Sequence, residues 1–137
     1  MPTENGIDTW MVFEVLAGGK ETAEESLEKH VESIKNLESV EVSEADFEGV
    51  EEVENPHPSL DKGYSQICEL ECNVEDFPTL INLVMNYGPT IIEIHGPDKI
   101  ELDLREAQDS LNLVSEMMQK FLQAGAGGMM ISRSSEE

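Results

Sequence analysis

Residues 10–26 read WMVFEVLAGGKETAEES, and the fold follows from how this stretch is parsed. Residues 10–16 are an apolar, valine-containing run of strand length. Ala17-Gly18-Gly19-Lys20 interrupts the run, and a helical pattern starts directly after it. Strand, glycines, lysine and helix is also the order of a phosphate-binding loop. A Walker loop, however, requires G-x-x-x-x-G-K followed by Ser or Thr. Here the residue five before Gly19 is Glu14, and Lys20 is followed by Glu21. The dinucleotide pattern G-x-G-x-x-G is not met either. Glu21, Glu24 and Glu25 crowd the start of the helix, where free N–H groups and the positive dipole end would otherwise attract an anion. The stretch therefore reads as a tight strand-to-helix turn, with Gly18 and Gly19 free to adopt positive φ.

The helix that follows has Thr22 and Glu25 at capping-box spacing. Ala23, Leu27, Val31, Ile34 and Leu37 share one face, and Glu24, Glu25, Glu28, Glu32 and Lys35 the other. Residues 40–54 alternate apolar and acidic side chains, but the parity changes after Val42 and again at Val50. This predicts one strand bulged near Gly49, or two short strands. Residues 55–63, NPHPSLDKG, read as a loop, because proline does not fit a central ladder. Residues 64–74, YSQICELECNV, alternate cleanly: Cys68, Leu70, Cys72 and Val74 face one way, Glu69, Glu71 and Asn73 the other.

Asp76 as N-cap and Pro78 in the first turn open a second helix, with a stripe of Phe77, Leu80, Ile81, Val84 and Tyr87. Gly88-Pro89 ends it. Residues 90–95 form a strand, 96–99 a turn, and 100–104 a short returning strand or a lead-in to the last helix, about 104–124. Asp103 and Glu106 make its capping box. The order β-α-β-β-α-β is that of a ferredoxin-like α+β sandwich, here with an added hairpin return and a C-terminal helix. Residues 1–9 read as a flexible tail, 10–124 as a single α+β domain, and 125–137 as a Gly-rich C-terminal tail.

At 137 residues the chain has the length of one domain and buries enough surface to fold without disulfide or metal. Thirty acids face eight bases, a formal charge of -22. That balance argues against direct nucleic-acid binding, which Lys and Arg drive by releasing counterions, and against an anionic membrane. It suits work in high salt, a basic protein partner, or solubility alone. Two cysteines are no disulfide framework, and the sequence shows neither a signal peptide nor a stretch of membrane-spanning length. Cytoplasm is the expected compartment.

In the last helix Leu111, Val114, Met118 and Phe121 form a stripe wide enough to cover the second sheet face or to meet a second copy. Strand parity gathers Glu14, Glu69, Glu71 and Glu93 on the face away from the helices, mixed with Trp10, Val12, Leu16, Ile67 and Ile91. Such a mixed face suits a protein contact better than a catalytic cleft. Cys68 and Cys72 lie about 13 Å apart along a strand at ~3.3 Å per residue, too far to share one zinc ion. His57 or His95 beside glutamates are the metal candidates. No G-x-S-x-G, activated nucleophile or cofactor motif is present. The first reading is a non-enzymatic cytoplasmic interaction protein, a homo-oligomer or bound to a basic protein, with Leu111, Val114, Met118, Phe121 and Trp10 at the contact. The alternatives are a metabolite sensor built on the turns at Gly18, Gly19, Gly88 and Gly96, and a metal-assisted enzyme.

Overall fold

In the computed structural model, which describes residues 6–57 and 60–125, the longest central ladder joins β1 (Ile7–Ala17) to β4 (Leu60–Val74) in antiparallel register, from Ile7 opposite Val74 to Ala17 opposite Tyr64. On the free side of β1 lies β5 (Ile91–Gly96), also antiparallel. The other flank of β4 is shared. β2 (Val40–Phe47) pairs with its last residues and β3 (Glu51–His57) with its first. The class is α+β: a five-stranded antiparallel sheet, order β2-β4-β1-β5 with β3 beside β4, and three helices.

Two helices cover one sheet face. α1 (Lys20–Lys35) buries Ala23, Leu27, Val31 and Ile34, the stripe expected from its spacing. α2 (Phe77–Tyr87) buries Leu80 and Leu83. Against them the sheet presents Met11, Phe13, Cys68, Leu70, Cys72 and Val74, which form the core with the helix stripes. Each fully buried side chain of this size contributes roughly 1.5–3 kcal/mol relative to its exposed state. α3 (Leu104–Gln123) packs on α2, on the helix side of the sheet. Among the described residues no helix covers the second sheet face.

Several expectations are corrected. β1 starts at Ile7, inside the segment read as a tail, because Ile7 is only 2 % exposed and closes the core next to Val74. The capping box of Thr22 and Glu25 does not form. Ala17 ends the ladder and Lys20 already starts α1, so Thr22 lies within the first turn and extended Gly19 is the N-cap without a side-chain bond. Neither Gly18 nor Gly19 takes positive φ; among the described residues Gly88 and Gly125 do. Of the two readings of residues 40–54, two strands is the one observed, and the bulge lies not near Gly49 but before Glu44, at the parity change after Val42. The expected loop 55–63 is largely strand. β3 is an edge strand, and its pairing shifts between Glu54 and His57, so Pro56 displaces no central ladder bond. The hairpin return is absent: residues 97–103 run irregularly to α3, with Ile100 packed on the core and Asp103 committed to the cap. The Gly-rich tail beyond Gly125, with its apolar Met129, Met130 and Ile131, lies outside the described residues.

Candidate functional site

A groove of about 550 Å³ lies between α2, β5 and α3. Local sequence places each wall. Asp76 caps α2 by accepting a hydrogen bond from the Thr79 backbone N–H at 3.0 Å, and Gly88 ends the helix at φ 59. Leu80 and Leu83 point into the core, which turns Ile81 and Met85 toward the groove. In β5, Ile92 stands opposite Met11 and Ile94 opposite Thr9, so both face the helix side. α3 starts on a complete capping box: the Glu106 N–H donates to Asp103 Oδ1 at 2.8 Å, and the Asp103 N–H to Glu106 Oε1 at 3.1 Å. Val114 closes the groove from α3. Every side chain lining it is apolar.

Leu111, Val114, Met118 and Phe121 run on one face of α3 at helical spacing and stay uncovered: Leu111 is 66 % and Phe121 56 % exposed. It is Ser110, buried with its hydroxyl donating to the Glu106 carbonyl at 2.9 Å, together with half-buried Leu113 and Met117, that turns inward. The expected stripe is therefore surface, continuous through Val114 with Ile92 and Ile94. α2 contributes no charged residue along Phe77–Tyr87.

The open sheet face carries the four predicted carboxylates. Register sets Trp10 between Glu71 and Glu93, Val12 between Glu69 and Ile91, and Glu14 beside Ile67. Half-buried Trp10 donates its indole N–H to Glu69 Oε1 at 3.2 Å. Ser65 Oγ donates to Glu14 Oε2 at 2.9 Å. His95 Nε2 lies 3.1 Å from Glu93 Oε1. Trp10 thus belongs to the face opposite the α3 stripe, and the five predicted contact residues are not one surface.

The glycine turns do not converge. Gly96 stands opposite Asp8 at one end of β1, and Gly18 follows Ala17 at the other, on the order of 30 Å away at ~3.3 Å per residue. Gly88 borders a third place, a 210 Å³ hollow with His30 and Tyr87. Cys68 and Cys72 are buried and free. Burial pushes the Cys68 thiol from 9.0 up to about 11, and burial with the neighbouring Cys68 pushes Cys72 up to about 12. Both stay protonated thiols near neutral pH. Among the described residues no three His, Cys, Asp or Glu side chains gather as a metal-holding group. His57 ends β3 opposite Leu60, and its side chain is outside the described residues. The reading from sequence missed Ile81, Met85, Ile92 and Ile94 as surface; the lack of any charge in α2 was the available signal. No helix among the described residues is long and apolar enough to cross a membrane.

These features define a class: an acidic α+β protein with a five-stranded antiparallel sheet, three helices and one charge-poor apolar face. The chain belongs to the MJ0538 family, whose sequence profile matches residues 8–135. It is 31 % identical over 109 residues to the uncharacterized protein MJ0538 of Methanocaldococcus jannaschii, covering 80 % of this chain and 39 % of that protein. The chain therefore spans well under half the length of this relative. No solved structure matches it.

Proposed function

We propose that this chain is a non-enzymatic interaction module whose contact surface is the apolar face shared by α2, β5 and α3. The observation that carries the reading is the coincidence of exposure with loss of charge. Leu111, Met118 and Phe121 are exposed beside a wholly apolar groove, in a chain with thirty acids. Interface cores are depleted of charge, and contiguous exposed apolar patches mark contact sites. A metabolite pocket normally sets a few polar groups to orient its ligand, and no side chain lining the groove supplies one, so a protein partner fits it better. The separated glycine turns give the sensor alternative little support. The surrounding acids favour a basic partner, or a second copy where salt screens the repulsion.

The strand order also supports a ferredoxin-like plan in which β2 and β3 together play the part of one edge strand. That plan hosts unrelated functions, so the functional reading rests on the surface and not on the fold. A cytoplasmic setting goes with it, supported by two buried, unpaired cysteines.

The test is native mass spectrometry of the full chain purified gently from its own cells, against the double variant Leu111→Asp/Met118→Asp. Wild type should travel in an assembly heavier than the 15.2 kDa chain, and the variant should fall to chain mass while still unfolding cooperatively. Equal assembly masses for both would refute the reading.

A further inference from the structure

We propose that the occupant of this face is a second copy of the chain, joined edge to edge through β5 so that two sheets become one. The inference rests on the reading of the α2–β5–α3 face as a contact surface. Two independent features lead from that reading to self-pairing.

The first is the contrast between the two sheet edges. The β2–β3 edge carries Glu41, Glu44 and Asp46, then Glu51, Glu52 and Glu54, is bulged after Val42 and holds Pro56. Charges, bulges and proline are how natural sheets prevent edge-to-edge pairing. β5 is guarded far less: its irregularity lies at its end, where the pairing with β1 shifts between Asp8 and Thr9, and its one acid is Glu93. Residues 91–96 contain no Lys and no Pro, Ile91, Ile92 and Ile94 are exposed, and among the described residues no strand pairs with its outer flank. Its backbone is open to a further strand.

The second is the geometry beside that edge. Ile92, Ile94 and Val114 line one groove, so the α3 stripe borders the open strand. A two-fold axis next to β5 carries the strand and the helix face to their own copies at once. An isologous contact must be self-complementary. An antiparallel strand edge and an apolar helix face both meet that condition; an acidic patch does not. The one acid of β5, Glu93, points to the opposite sheet face and is held 3.1 Å from His95. Pairing centred on Ile94 sets Glu93 across from His95 of the second copy. The repulsion that remains between two chains of -22 is long range and screened by salt.

The experiment is sedimentation of the full chain, purified alone, at physiological and at molar KCl, with hydrogen exchange of the β5 amides. A dimer of twice the 15.2 kDa chain mass is expected, at least tenfold tighter in molar KCl, with all amides of residues 91–96 slow. Ile94→Lys should give a cooperatively folded monomer in which alternate β5 amides exchange freely. Should that variant not fold, Leu111→Asp/Met118→Asp should weaken the dimer by the same measure. A monomer at both salts, or a dimer whose alternate β5 amides remain unprotected, overturns self-pairing through β5. In either case the contact-surface reading survives if the double variant still leaves the assembly recovered from cells, and falls if it does not.

Discussion

His30 on α1 donates from its ring Nε2 to the backbone carbonyl of Tyr87 at the end of α2, at 2.8 Å. The ring also lies edge-on to Phe13 and to Tyr87, with centroids 5.3 Å away in each case. One side chain thus ties the two core helices to each other and to β1. His30→Leu should leave the Tyr87 carbonyl without this donor and cost about 1–2 kcal/mol. Urea unfolding reads this directly, and an unchanged midpoint would contradict the tie.

The exposure of α3 separates two kinds of apolar residue. Leu111→Asp places a charge on a side chain that is two-thirds exposed, so in protein dilute enough to be monomeric stability should stay within about 0.5 kcal/mol of wild type. Leu83→Asp puts the same charge into the core, where Leu83 is 1 % exposed, and should cost more than about 3 kcal/mol. Thermal melts of the two variants, side by side, check the assignment of each face.

Thr9 is buried on β1 opposite Cys72 and Ile94, and its hydroxyl has no hydrogen-bond partner among the described residues. A buried hydroxyl without a partner costs free energy that an apolar group of like shape does not. Thr9→Val should therefore stabilise the protein by about 1 kcal/mol. A loss of stability would mean that the hydroxyl is satisfied after all.

The buried thiols set an alkaline limit. With the folded values near 11 for Cys68 and 12 for Cys72, both states hold the protons below pH 9. Above it the unfolded chain loses them first and binds fewer protons than the native one, so stability falls as pH rises from 9 through 11–12. Unfolding free energy measured across that window should decline, and less steeply in Cys72→Ala, which carries one such thiol fewer. A thiol reagent at pH 8 should label neither cysteine in the folded protein; rapid labelling would refute their burial.

Much of the core is legible in the sequence, because period and partner agree there. Ala23, Leu27, Val31 and Ile34 recur at helical spacing, Cys68 through Val74 alternate, and the sheet and helix stripes bury each other. The caps at Asp76 and Asp103 are local chemistry and are equally readable. What a pattern does not contain is what covers a face. The α3 stripe has the spacing of a buried one, yet Ser110, Leu113 and Met117 take the inward positions because α3 leans on α2 and not across the sheet. The strand that holds Pro56 is hidden for a related reason: the proline rule concerns central ladders, and only topology makes β3 an edge.

The contact surface itself is tested most directly by a photo-crosslinking residue substituted for Phe121 and irradiated in intact source cells. The account predicts a polypeptide adduct of discrete mass from position 121, and none from the same probe at Glu28 on the charged face of α1. Adducts from both positions alike, or from neither, would contradict it.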